Sequence, residues 1–334
     1  MTQHPIAAAS TAPQPTHAQL AQAAQWYACL RDGQASAGER AAWQAWLAAA
    51  EAHALAWQYV EDISRAFEPV RSLPNPRHAV HQLHAANDRV RARRQILASV
   101  GILAGTGLLG LWGWRQGAMP AGLLALGADH RTATGEQRSL TLADGTRLWL
   151  NTASAVDIQF HAQERGIVLH RGEIFVETAQ DARPLRVYTP HGQMRALGTR
   201  FNVLLDGDAT QLAVYEGRVE VRTAASGVVQ IFSPGEQTRF TAQAVASPAA
   251  ADMAREAWTQ GALVADNLPL WQVVQQLRRY RSGHLGVSDA VADLTVYGNF
   301  PLHDTDHALQ MLASALPVRI AQPLPWWTTL EARD

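Results

Sequence analysis

The 334-residue chain predicts a multi-domain protein: a small all-α bundle, one transmembrane helix, an all-β domain and a C-terminal α+β unit of order β-α-β-β-α-β. Three observations predict that class. The run from Ile96 to Trp114 carries no charge over about 19 residues, close to what a helix needs to cross the hydrocarbon core of a bilayer. Upstream of it, apolar side chains recur at helical spacing. Downstream, the period falls to two and glycine-bearing turns recur.

Residues 1–15, rich in Ala, Pro, Thr and Gln, read as a disordered tail. Residues 16–70 form the bundle. Its first helix runs from about Thr16 to Leu30 and stops before Gly33. The second opens on Ser36-Ala-Gly-Glu39, a capping box in which Ser36 and Glu39 satisfy each other's backbone donors, and continues through Trp43, Trp46 and Leu47. The third spans about Glu51 to Phe67, with Leu55, Trp57, Val60 and Ile63 as its apolar positions. The tryptophans Trp26, Trp43, Trp46 and Trp57 admit two readings. They fill the core of a bundle too small to do without large side chains, or some of them anchor a protein partner.

Pro69, Pro74 and Pro76 mark the start of a juxtamembrane segment at 71–95, followed by the membrane helix at 96–114. Its glycines and its terminal Trp112 and Trp114 suit a bilayer. Arg89, Arg91, Arg93 and Arg94 crowd its N-terminal flank, against Arg115 on the other. That asymmetry places the N-terminus in the cytoplasm and the C-terminus outside it, in a single-pass inner-membrane arrangement.

Residues 120–245 form the all-β domain. Ser139–Leu142 and Arg147–Leu150 flank the turn Ala143-Asp144-Gly145-Thr146. Further strands are expected at Ile167–Leu169, Glu173–Glu177, Leu185–Tyr188, Phe201–Leu205, Leu212–Tyr215, Arg218–Arg222 and Val228–Phe232. Turns at Arg171-Gly172, Thr189-Pro190, Glu216-Gly217 and Pro234-Gly235 separate them. Residues 252–334 form the α+β unit, with strands at Gly261–Val264, His284–Val287, Leu294–Val296 and Val318–Ile320. Its two helical stripes run through Leu270, Val273, Val274 and Leu277, and through Leu309, Leu312, Ala313 and Leu316.

Composition narrows the chemistry. Net charge is −1 at pH 7, so no direct nucleic-acid binding is expected. Cys29 is the single cysteine, which rules out an intramolecular disulfide and a Cys-rich metal site. No esterase, zinc-protease, P-loop or dinucleotide signature occurs, and neither an enzyme site, a metal nor a cofactor is expected. His78, His81 and His84 lack a neighbouring carboxylate or thiolate and read as a polar juxtamembrane helix. One motif can bear chemistry. In Gly198-Thr199 a hydroxyl follows glycine, the arrangement an N-to-O acyl shift requires. The same dipeptide is also an ordinary strand-entry turn.

Several strings, taken in order around the apolar run, resemble the FecR-type regulators of surface signalling. In the bundle they are Ser36-to-Glu39, Trp43-x-x-Trp46-Leu47 and His53-x-x-Ala56-Trp57. The β region carries Leu142-x-Asp144-Gly145-Thr146-x-Leu148-x-Leu150-Asn151-x-x-Ser154, Gly172-Glu173-x-Phe175-Val176, Gly198-Thr199-x-Phe201-x-Val203, Glu216-Gly217-x-Val219-x-Val221 and Pro234-Gly235-Glu236. The tail carries Trp258-x-x-Gly261, Leu268-Pro269-Leu270, Leu277-x-x-Tyr280, Gly298-x-Phe300 and Leu312-Ala313 before Leu316-Pro317-Val318, which resemble the short domain shared by secretins and TonB-dependent receptors.

The resemblance implies an anti-sigma factor and transmembrane signal transducer. Its cytoplasmic bundle would bind an extracytoplasmic-function sigma factor, and its periplasmic part would meet the signalling domain of a TonB-dependent outer-membrane receptor, in iron or siderophore uptake. Shortening by periplasmic and intramembrane proteases is implied too, and in some members self-cleavage at the dipeptide that here is Gly198-Thr199. The alternative is a membrane-anchored periplasmic adaptor of a secretin or transport machine.

Overall fold

The computed structural model describes residues 15–31, 35–71, 125, 127–196 and 198–333. They divide into two compact units. One holds the N-terminal helices with Gly283–Leu294 and Ala313–Asp334; the other holds the described part of Ala98–Ser282 with Thr295–Leu312.

In the first unit, α1 (His17–Arg31), α2 (Ala37–Ala49) and α3 (Glu51–Arg71) form the bundle. The capping box starts α2: the Ser36 hydroxyl accepts from the Glu39 N–H at 3.2 Å, and the Glu39 carboxylate accepts from the Ser36 N–H at 2.7 Å. Ala50, in extended backbone, ends α2 and turns the chain into α3. Small side chains bring α1 and α3 together. Ala23, Ala24, Ala56 and Val60 are fully buried, and one apolar cluster runs from them to Leu324, Trp326 and Trp327. Those last three belong to the hairpin of β17 (Val318–Leu324) and β18 (Trp327–Ala332), which with β15 (His284–Val287) makes a three-stranded sheet ordered β15-β18-β17.

The second unit is dominated by thirteen strands. These are β1 (His130–Arg131), β2 (Arg138–Thr141), β3 (Arg147–Leu150), β4 (Ala155–Phe160), β5 (Arg165–Glu177), β6 (Leu185–Thr189), β7 (Gly192–Ala196), β8 (Arg200–Asp206), β9 (Ala209–Glu216), β10 (Val219–Thr223), β11 (Val229–Phe232), β12 (Glu236–Phe240) and β13 (Ala249–Ala250). β5 organises them. Its first half pairs with β4 and β6, and its second half with β3 and β8. Gly172, at φ +87°, lets the strand pass from one set of partners to the other, because any side chain there would collide with Ser154. Leu148, Leu150, Ile167, Ile174, Val176, Phe201, Val203, Val214, Phe232 and their neighbours close one core drawn wholly from residues 140–245.

The Asp144-Gly145-Thr146 turn is tied to this core. The Asp144 carboxylate accepts from the Thr146 N–H at 3.0 Å and the Thr146 hydroxyl at 2.6 Å, and pairs at 2.5 Å with Arg165, which is itself buried. After β13 come a 3₁₀ helix (Met253–Gln260), β14 (Ala262–Pro269), α4 (Leu270–Arg278), β16 (Thr295–Pro301) and most of α5 (Thr305–Ala315). β14 and β16 form a two-stranded sheet, and α4 buries Leu270, Val273, Val274 and Leu277.

Three expectations are corrected. The fold class included one transmembrane helix, yet among the described residues no helix is long and apolar enough to cross a membrane, and residues 96–114 lie outside the described residues. The C-terminal unit is not one β-α-β-β-α-β sheet. Its strands pair in two separate sheets, β14-β16 and β15-β18-β17, because an additional strand, β18, takes both β15 and β17 as partners. Arg171-Gly172 is not a turn between strands: it is an irregularity inside β5, where the register against β4 shifts between Ala155 and Val156. The all-β region itself is present, and the sequence reading missed β1, β4, β7, β12 and β13. The His78, His81 and His84 group lies outside the described residues.

Candidate functional site

Glu173 stands on β5 between the polar His170-Arg171-Gly172 and the apolar Ile174-Phe175-Val176, and is fully buried. A bare carboxylate there would be heavily destabilising, so its surroundings must supply charge and donors. They do. Asn151, just after β3, donates to it at 2.9 Å, and Asn202 of β8 donates at 2.8 Å. Arg279, at the end of α4, pairs with it at 2.6 Å, and Arg255 of the 3₁₀ helix stands 3.5 Å away. Burial pushes the Glu173 pKa upward, but the Arg279 and Arg255 guanidinia outweigh it and hold the carboxyl below the usual range. Burial works against the charge on Arg279 likewise, and Glu173 more than restores it.

A second shell of hydrogen bonds extends from this pair. Asn151 Oδ1 accepts from the Tyr280 hydroxyl at 2.7 Å and from Gln137 at 3.1 Å, and Gln137 also donates to the Trp258 carbonyl at 2.9 Å. Trp258 Nε1–H donates to Asn202 at 3.1 Å, and the Thr152 hydroxyl donates to the Arg279 carbonyl at 3.1 Å. A cavity of about 730 Å³ opens beside the network, walled partly by Gln272, Gln275 and Gln276 of α4. The arrangement can fasten one segment of chain to another. It holds no nucleophile activated by a base.

Gly198 and Thr199 lie where β7 leads into β8. Gly198 adopts φ +71° and is exposed, whereas Thr199 is buried. Thr178 clamps Thr199 from across the sheet. Its hydroxyl accepts from the Thr199 N–H at 2.7 Å, and the Thr199 carbonyl accepts from the Thr178 N–H at 3.0 Å. The Thr199 hydroxyl is enclosed and has no hydrogen-bond partner among the described residues. Gly217, at φ +72°, faces the Gly198 carbonyl so closely that a Cβ there would overlap its oxygen. The two glycines of the Gly-Thr and Glu-Gly strings are thus one packing unit.

The four tryptophans of the bundle are half-buried, not fully enclosed. Trp43 and Trp57 rings lie 5.0 Å apart, and Trp46 stacks on His53 at 4.5 Å. The indole N–H groups of Trp26, Trp43 and Trp46 have no acceptor among the described residues. Of the residues singled out from sequence, the structure brings Gly198 beside Thr199 and Gly217, and clusters Trp43 with Trp57. It does not gather the four tryptophans into one core. The Glu173 network went unseen in the sequence. Its signal was a carboxylate directly before the apolar run Ile174-Phe175-Val176 of a strand, which, once buried, needs partners from elsewhere in the chain to be tolerated.

Comparison with known proteins bears on the same regions. Residues 128–220 match the family model described as FecR protein, and residues 21–63 match a domain of unknown function, DUF4880. No curated protein matches the chain. Two crystal structures of a "putative anti-sigma factor" from Parabacteroides distasonis ATCC 8503, at 2.50 and 1.65 Å resolution, are similar at 23% identity and a TM-score of 0.49. They cover 61% and 60% of this chain and 98% and 97% of their own.

Proposed function

We propose, from the premise that this is a FecR-type protein by its residues 128–220 and 21–63, that it is an anti-sigma regulator that transmits a signal to a sigma factor. The observation that carries the partner assignment lies in the bundle. Three enclosed indole N–H groups there, on Trp26, Trp43 and Trp46, lack acceptors among the described residues, and an unmade bond of this kind costs about 1–3 kcal/mol. A partner presenting carbonyls or carboxylates to this aromatic face recovers that energy while burying the rings. The finer reading has four parts. The sigma factor is of the extracytoplasmic-function type, the signal comes from the signalling domain of a TonB-dependent receptor, proteases shorten the chain in response, and iron or siderophore uptake is the process served. The resemblance of the bundle, β region and tail motifs supports it. The test is a binding titration of the purified chain against extracytoplasmic-function sigma factors, with the receptor signalling domain added as a second ligand. Saturable binding of a sigma factor is expected, and no binding to any of them would overturn the reading.

A second reading concerns Gly198-Thr199, and the Thr199 hydroxyl, which has no hydrogen-bond partner among the described residues, favours it. In this reading the Thr199 Oγ adds to the Gly198 carbonyl carbon, and the C–N bond breaks as the nitrogen takes the hydroxyl proton. The resulting ester is hydrolysed by water to a Gly198 carboxylate and a free Thr199 amine. Gly198 holds a left-handed backbone, φ +71°, of the kind that glycine adopts without strain. The halves stay together, since β7 is paired with β6 and β10, and β8 with β5 and β9. Mass spectrometry of the purified chain should find a new N-terminus at Thr199. It should be lost in Thr199→Ala and retained at a reduced level in Thr199→Ser.

A further inference from the structure

The joint between the β domain and residues 252–282 is built unlike either of the bodies it joins. Among the described residues, the apolar cluster of the β domain is drawn from residues 140–245. On the other side, α4 turns the face bearing Leu270, Val273, Val274 and Leu277 inward, over the β14-β16 sheet with its buried Val296 and Phe300. What crosses between them is polar. Glu173 meets Arg279 and Arg255, Asn151 meets Tyr280, Asn202 meets the Trp258 indole, and Gln137 meets the Trp258 carbonyl. A buried ion pair contributes little net stability compared with an apolar contact of equal size, because separation returns both charges to water. Such a joint holds one defined position, and its opening exposes the Glu173 pair with the Trp258 and Tyr280 rings and leaves the β-domain cluster intact.

The same segment has a second fastening. Glu256 of the 3₁₀ helix pairs with Arg200, and Arg200 follows Gly198-Thr199 directly. Arg200 is also held by Glu216 at 2.7 Å, next to the Gly217 that packs on the Gly198 carbonyl. The side chain that follows the dipeptide is therefore anchored partly by the strand before the glycine turn and partly by the segment beyond the β domain.

We propose that residues 252–281 form a strap, fastened to the β domain at Glu173 and at Arg200, whose docking holds the backbone at Gly198-Thr199 in place. Release of the strap by a pull or a competing partner loosens that backbone. The proposal rests on the self-cleavage reading only for its consequence. With the strap docked, the backbone geometry that the attack needs is held at Gly198-Thr199; with it released, that geometry is lost and cleavage slows.

The experiment uses the full-length chain and two variants that weaken different fastenings, Glu256→Gln at the Arg200 contact and Arg279→Gln at the Glu173 contact. Glu256 is partly exposed, whereas Arg279 pairs with a fully buried carboxylate, so the Glu256 variant is expected to fold even if the other does not. Hydrogen exchange is followed by mass spectrometry in peptides covering 252–281 and 198–206, and the fraction cleaved at Thr199 is followed over time. Faster exchange in both peptides is expected in each folded variant, with cleavage slowed on the order of tenfold, as misplaced reacting groups do. Faster exchange in 252–281 with no change in 198–206 overturns the coupling. If no chain is cleaved, wild type included, the self-cleavage reading fails by itself, and the strap stands or falls on the exchange at 198–206.

Discussion

Glu173 is where a single side chain sets a measurable property of the β domain. Its carboxyl is held below the unfolded value of about 4.3. The stability it contributes is therefore complete above that value and is lost as pH falls through the lower folded one. Glu173→Gln leaves Arg279 and Arg255 without their counter-charge, and such a loss costs about 3–5 kcal/mol. The variant should melt well below wild type at neutral pH and lose part of the acid dependence, as thermal denaturation across a pH series would show. Equal melting at pH 7 would mean the arginines find other partners. Residues of this kind explain what was hard to read in the sequence. Glu173 was visible as a member of a string, but its partners at positions 151, 202, 255 and 279 are brought together only by the fold. The Gly-Thr dipeptide was visible, but not the clamp by Thr178 or the contact with Gly217.

Elements were legible where their signals are local. The Ser36–Glu39 box marked the start of α2, and glycines in left-handed backbone mark the turns at Gly145, Gly217 and Gly235. Ser36→Ala should cost about 1 kcal/mol of bundle stability, read as a lowered helical melting temperature. Gly217→Ala tests a longer-range statement. The added methyl meets the Gly198 carbonyl and forces a left-handed alanine, so the β8–β9–β10 corner should destabilise by about 1–3 kcal/mol. An unchanged denaturation midpoint would show the two strings to be unconnected. Elements were illegible where pairing is not local. Gly172 looks like a turn residue from its neighbours alone, and only the register of β4 against β5 shows that the strand continues through it. The closing strand β18 went unread because Trp326-Trp327 interrupts the expected alternation, and its pairing with β15 is parallel and non-local.

At the scale of the molecule, the tail is divided between two sheets, and its last hairpin completes a core begun by α1 and α3. Trp327 is fully buried there and stacks on His284 at 3.7 Å. Trp327→Ala should therefore cost about 3–5 kcal/mol and lower the stability of the bundle as well as that of the hairpin. A bundle that melts unchanged would show that its core closes without the tail. The FecR match covers most of the β domain and the match to the domain of unknown function most of the bundle, so the regulatory reading depends on what the bundle binds. The most direct measurement is calorimetric titration of an extracytoplasmic-function sigma factor into the full-length chain and into its Trp43→Ala and Trp46→Ala variants. Saturable binding to wild type, weakened by about 2 kcal/mol or more in at least one folded variant, is the predicted result. No binding to wild type, or equal binding by both folded variants, would contradict it.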